Sequence, residues 1–136
     1  MKKIFHLALA KNWAETTDQN STYYPPTYEQ DGFTHGTSDQ NKLLEVANHF
    51  YTNSIGDWVC LEMTLESLRG GRVEVRYEPA APVGNTSGEL KSLDSHEVLL
   101  FPHLYGGIHP VVVTQVFSVC RDDDGRFVEI GTLNIR

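Results

Sequence analysis

The sequence predicts a single α+β domain over residues 1–136, with two early helices packed on a mostly antiparallel sheet. Three observations carry this. The hydrophobic patterns run strand, helix, strand, helix and then mostly strands. One segment, from Thr37 to about Asn53, has its apolar residues at helical spacing behind a capping signature. The last third alternates as a meander, with Asp124-Gly125 marking a hairpin turn.

Taken in order, Ile4 to Leu9 reads as a first strand with His6 on the face shared by Ile4 and Ala8. Both faces are apolar, which predicts a central strand. The apolar run behind Met1-Lys2-Lys3 is short, contains His6 and lacks a cleavage pattern, so it reads as a strand rather than a signal peptide. A short helix follows over Lys11 to Thr17, anchored by Trp13. Tyr23-Tyr24-Pro25-Pro26 then forces extension, and Asp31-Gly32 makes a turn. The main helix has Thr37 as its expected N-cap, Gln40 three residues on, and a stripe of Leu43, Val46, Ala47 and Phe50.

Trp58 to Thr64 is apolar on both faces and reads as a second central strand, carrying Glu62 next to an apolar layer. Val73, Val75 and Tyr77 alternate with Glu74, Arg76 and Glu78, the pattern of a half-exposed strand. Pro79 to Glu97 lacks periodicity and reads as a long loop. Leu100 to Gly107, Leu-Phe-Pro-His-Leu-Tyr-Gly-Gly, reads as a rigid turn presenting His103 and Tyr105, because Pro102 and the two glycines are poor helix chemistry. Val111 to Cys120 and Phe127 to Ile130 complete the meander.

Composition is that of a soluble globular chain, 40% hydrophobic and 21% charged, and no run is long enough to span a membrane. The net charge of −7 argues against a non-specific grip on nucleic acid. Cys60 and Cys120 both lie in strand-like runs, which predicts small buried hydrophobes in a reducing cytoplasm rather than a disulfide. The chain has no G-x-G-x-x-G, Walker A, G-x-S-x-G or H-E-x-x-H motif. The run Gly84-Asn85-Thr86-Ser87-Gly88 lacks nucleophile-elbow spacing and reads as loop.

Six histidines are present, and no pair has ligand spacing on one predicted element, so no metal site is expected. His49 falls at the end of the main helix, where it complements the dipole. His96 and His109 read as loop residues. His6, His35 and His103 are the three that a common cleft can gather, with the amides at Ser38 to Gln40 open to an anion. The plainer alternative is three unrelated, hydrogen-bonded histidines.

Four stretches, taken together, resemble a known family. They are Ile4-Phe5-His6-Leu7, Asp31-Gly32-Phe33-Thr34-His35-Gly36-Thr37-Ser38, Tyr77-Glu78-Pro79 and Leu100 to Gly107. In that order they resemble the signatures of the domain of unknown function 952 family, over nearly the whole chain. The resemblance implies a fold similar to the ADP-ribosyltransferase superfamily, which also houses RNA 2′-phosphotransferases. There a first-strand histidine or arginine holds the nicotinamide-side ribose, and His6 matches that position. A later glutamate stabilises an oxocarbenium-like transition state, a role for which Glu62, Glu78 and Glu97 compete.

What the resemblance implies is a pocket for NAD or a phosphorylated nucleotide, with transfer of ADP-ribose or phosphate. His6, His35, Thr37 and Ser38 would bind ribose or phosphate, His103 and Tyr105 would shape the rim, and Glu78 or Glu62 would be catalytic. NAD enters as a substrate. The alternative is a module that binds a small molecule or a partner without chemistry.

Overall fold

The computed structural model describes residues 2–79 and 100–134. Glu97, His96 and the expected loop from residue 80 onward lie outside the described residues. Chain order gives β1 (Lys3–Leu9), α1 (Ala10–Asp18), α2 (Tyr28–Asp31), β2 (Thr34–His35), α3 (Gln40–Phe50), β3 (Trp58–Thr64), α4 (Leu65–Gly70) and β4 (Glu74–Pro79). Then come β5 (Leu100–Tyr105), a 3-10 turn at Pro110–Val112, β6 (Val113–Arg121) and β7 (Phe127–Asn134). The class is α+β with antiparallel sheets. Two further short helices, α2 and α4, join the two that the sequence predicts.

The strands form two sheets rather than one, in the orders β1-β3-β6-β7 and β2-β5-β4, and every pairing is antiparallel. All seven residues of β3 are buried, as a strand between β1 and β6 requires. The expectation that β1 is central is wrong: it is the outer strand of its sheet. It is nonetheless buried because residues 36–37 lie along its free edge. Phe5 N–H donates to Thr37 O at 2.9 Å and Thr37 N–H returns a bond to Phe5 O at 2.8 Å.

That strap is the seam of the molecule. Thr34 and His35 pair with Leu104 and His103 of β5, after which the chain crosses to β1. Gly36 makes the crossing, its N–H donating to Pro102 O at 2.9 Å. Pro102 lacks an N–H, and it sits just past the two-residue β2 ladder, where its carbonyl is the group in use. Leu100 to Tyr105 is therefore a central strand, correcting the expected rigid turn. Backbone turning is left to Gly106, at φ +157°.

Alternation places Ile4, Ala8, Val59, Leu61 and Met63 on one face of the larger sheet, packed with Leu104, Tyr23, Trp13 and Ile108. The other face carries Phe5, Leu7, Trp58, Cys60 and Phe127, covered by Leu43 and Ala47 of α3. Helix α3 starts later than its expected cap. Asp39, not Thr37, is the N-cap, its carboxylate accepting Lys42 N–H at 2.7 Å. The helix stops at Phe50, short of Asn53. At the hairpin, Gly125 adopts φ +88° and Asp122 Oδ1 accepts the N–H groups of Asp124 and Arg126, as the Asp-Gly signal implies.

The cysteines diverge. Cys60 is fully buried, and burial pushes its thiol up to about 12, with Glu62 adding to the effect. Cys120 is exposed, contrary to expectation, because it stands near the end of β6 opposite the exposed Glu129. Among the described residues no helix is long and apolar enough to cross a membrane.

Candidate functional site

The seam brings His6 and His35 together. His6 Nδ1 lies 2.6 Å from the backbone carbonyl of His35. A carbonyl only accepts, so Nδ1 carries the proton and donates it. The residue is 6% exposed. Burial pushes the ring down to about 4, against the opposing effect of the backbone hydrogen bond, so His6 is neutral at pH 7. Nε2 then bears the lone pair, and it is buried with no hydrogen-bond partner among the described residues. A buried polar atom in that condition calls for a partner.

His6 lines a cavity of about 180 Å3 beside the seam. Its other walls include His35, Tyr23, Pro25, Tyr51 and Trp58. The Tyr23 ring is 5.7 Å from that of His6, and Tyr51 is 4.8 Å from Trp58. Trp58 is fixed by its indole N–H, which donates to Ser54 Oγ at 3.0 Å. Burial raises both tyrosine hydroxyls, that of Tyr51 to about 12 with Asp31 adding to the effect. Among the described lining residues there is no Lys, Arg, Asp or Glu. The cavity is aromatic and small.

A polar cluster adjoins it on the outer face of the smaller sheet. His35 stands opposite His103, which in turn stands opposite Arg76, so the three share a face. The ring of His35 donates through Nε2 to Asp31 Oδ2 at 2.8 Å. His103 donates through Nδ1 to Glu78 Oε1 at 2.9 Å, and the Tyr105 hydroxyl donates to the same oxygen. Phe33 stacks on His103 with centroids 4.0 Å apart and planes 17° from parallel. It also packs on His35 at 4.6 Å.

The electrostatics follow. Hydrogen bonds from Tyr105 and then His103 hold the Glu78 carboxyl below the usual range. The same contact raises the Tyr105 hydroxyl. Burial lowers His103, with the Glu78 hydrogen bond opposing. Two carboxylate–histidine pairs, Asp31–His35 and Glu78–His103, thus stand side by side with ring centroids of the histidines 5.7 Å apart. Each carboxylate fixes the tautomer and orientation of its imidazole.

Residues 7–119 match the family described as "Protein of unknown function (DUF952)". The chain belongs to the DUF952 family. Its fold is similar to the crystal structure of protein CC0527 from Caulobacter crescentus, with a TM-score of 0.67, 20% identity and 93% of each chain covered. A double mutant of that protein gives a TM-score of 0.61 at the same identity and coverage. No curated protein matches.

In this DUF952 chain the residues expected to share a cleft separate into groups. His6 and His35 line one cavity. His103, Tyr105 and Glu78 form the neighbouring outer cluster, so the third wall expected from Leu100–Gly107 belongs to a second surface. Thr37 is 3% exposed and its hydroxyl donates to Asp39 O at 3.2 Å, while Ser38 is exposed. Neither lines the cavity. The amides expected to receive an anion, those of Ser38 to Gln40, stand beside the exposed Asp39 carboxylate, which caps the helix by accepting Lys42 N–H and repels negative charge.

Glu62 is 5% exposed and paired with Phe5, on the sheet face away from His6. It accepts from Thr114 Oγ1 at 3.0 Å and lies 3.5 Å from Lys3 Nζ. Of the two glutamates, the structure brings only Glu78 to the histidines. Among the described residues no three His, Cys, Asp or Glu side chains come together to hold a metal. Sequence reasoning missed Asp31, Phe33, Tyr23, Tyr51 and Trp58. The i,i+4 spacing of Asp31 and His35 was a usable signal; the three aromatic walls, Tyr23, Tyr51 and Trp58, come from separate parts of the chain and left none.

Proposed function

We propose that this DUF952 protein binds a small molecule in the cavity at the seam of its two sheets, with His6 as the polar anchor. One observation carries the reading: a buried imidazole nitrogen with no partner among the described residues borders an aromatic cavity. At about 180 Å3 the cavity is below the roughly 300–1,000 Å3 of ordinary ligand sites, so it suits a fragment or one end of a larger ligand. Glu78, oriented by His103 and Tyr105, is the carboxylate on the adjoining face and the residue to which a catalytic role is assigned.

The ADP-ribosyltransferase-like reading draws its support from a first-strand histidine standing in a seam between two antiparallel sheets. Under it, a nucleotide such as NAD enters by a ribose or base rather than by phosphate, because the described lining offers a phosphate no Lys or Arg. The test is an NMR titration with adenosine, NAD and a set of small aromatic fragments. Shifts centred on His6, Tyr23 and the Trp58 indole N–H are expected. If no probe at millimolar concentration moves those resonances, the reading is wrong.

A further inference from the structure

We infer that the cavity selects neutral, ring-bearing ligands carrying a hydroxyl or N–H donor, and rejects anions and rings that can only accept. The inference rests on the binding role assigned to the cavity above and goes on to name the class of ligand. It follows from which atom of His6 is already used. Nδ1 is committed to the His35 carbonyl at 2.6 Å, part of a backbone segment that is itself tied on both sides. His35 pairs with His103 of β5, and Gly36 and Thr37 bond to Pro102 and Phe5. The carbonyl is thus held in place and the tautomer of His6 with it. Nε2 offers a lone pair and no proton.

The ligand must therefore supply the proton of the hydrogen bond. A carboxylate or phosphate oxygen would face the lone pair with its own, which is repulsive. Protonating His6 to welcome an anion would place a cation among Tyr23, Leu7, Leu9 and Trp58, with no carboxylate among the described lining. The walls add the second half of the specificity. Tyr23, Tyr51 and Trp58 present ring faces and edges, and Pro25 and Pro26 a rigid apolar side. A flat ring is the shape that such walls cover best. Asp31 and Glu78 stand outside this lining, tied to His35 and to His103 and Tyr105, so neither competes as an acceptor inside it.

The experiment compares phenol, anisole and benzoate on the unmodified protein at pH 7. All three carry the same ring; anisole lacks the donor and benzoate replaces it with an anion. Binding is read from the Trp58 indole N–H and from the 15N resonance of His6 Nε2. Phenol is expected to bind about tenfold or more tightly than either rival, since losing the hydrogen bond leaves the buried acceptor unpaired. Only phenol should shift Nε2 away from the position of a free imidazole lone pair. Equal binding of anisole or benzoate would overturn the donor requirement while leaving the cavity a binding site. Failure of all three to move Trp58, together with failure of the wider fragment set, would remove the binding role itself. His6→Phe, checked for folding by its NMR spectrum, should abolish the preference for phenol over anisole; a preference that survives the change overturns the assignment to His6.

Discussion

The backbone carbonyl of His35 holds Nδ1 of His6 at 2.6 Å, locking one histidine's tautomer through the main chain of another. This has a consequence for stability. The groups facing His6 are His35, which further lowers its pKa, and Tyr23, whose hydroxyl burial keeps neutral. The unfolded ring takes up a proton below about 6.5, whereas the folded ring does so only near 4. Within that window the unfolded state binds more protons, so stability falls as pH falls; above it His6 has no effect.

The slope is about 1.4 kcal/mol per pH unit, or about 2 kcal/mol between pH 7 and pH 5. His6→Asn keeps a donor for the His35 carbonyl and removes the titration. Urea unfolding at the two pH values is expected to show the wild type losing about 2 kcal/mol more than the variant. Equal losses would mean that His6 titrates normally.

The seam also sets a steric limit. A Cβ on Gly36 would lie 2.9 Å from Pro102 O and 3.2 Å from both Ile4 Cγ2 and Leu104 Cδ1. These are backbone and core atoms with little room to retreat, so Gly36→Ala is expected to cost about 1–3 kcal/mol. Gly70, at the end of α4, has nothing within 4 Å of such a Cβ. Gly70→Ala is the control and should be neutral or stabilising by up to about 1 kcal/mol. Thermal or urea unfolding of the pair checks both; a harmless Gly36→Ala would show that the strap can move away from β1.

Much of the architecture is written in local pattern. The apolar run Trp58–Thr64, the stripe on α3 and the Asp124-Gly125 turn each depend on neighbours a few residues away and appear as expected, and Glu74–Pro79 is the expected strand although its alternation fails at the exposed Tyr77. The misses are non-local. Pro102 reads as a strand breaker until its lost N–H is seen to fall beyond the β2 ladder. β1 reads as central because the Thr37 strap that covers its edge is more than thirty residues away. His6 and His35 were legible as candidates because their chemistry is rare in an apolar context, and the structure brings both to one cavity. His103 was legible as important, but which side of the smaller sheet it faces depends on its pairing with His35 and Arg76.

The start of α3 separates two candidate caps. Asp39 accepts Lys42 N–H at 2.7 Å, while the Thr37 hydroxyl donates to the Asp39 carbonyl and caps no helix N–H. Asp39→Ala should cost about 1 kcal/mol through loss of the cap and of its charge at the helix N-terminus. Asp39→Asn keeps the capping oxygen and removes the charge, so it should recover part of that cost. Urea midpoints of the two variants check this, and an Asp39→Asn protein as stable as the wild type would mean that the charge contributes nothing.

The last prediction concerns Glu78 and His103. Two effects oppose each other on His103: burial lowers its pKa, and the hydrogen bond to Glu78 raises it. Burial is the larger, so the ring titrates below its ordinary 6.5 with Glu78 intact. Glu78→Gln leaves an oxygen to accept the Nδ1 proton but removes the charge that favours the imidazolium. The pKa of His103 should therefore fall further, and that of Tyr105 should fall towards its ordinary value, since the Glu78 hydrogen bond is the main cause of its elevation. Proton NMR titration of the His103 Cε1–H and absorbance titration of the tyrosines measure both. The two changes have the same sign because one carboxylate oxygen serves both donors. A His103 pKa that rises in the variant would show that the pair is not coupled through Glu78, and the oriented carboxylate on which its assigned role depends would be lost.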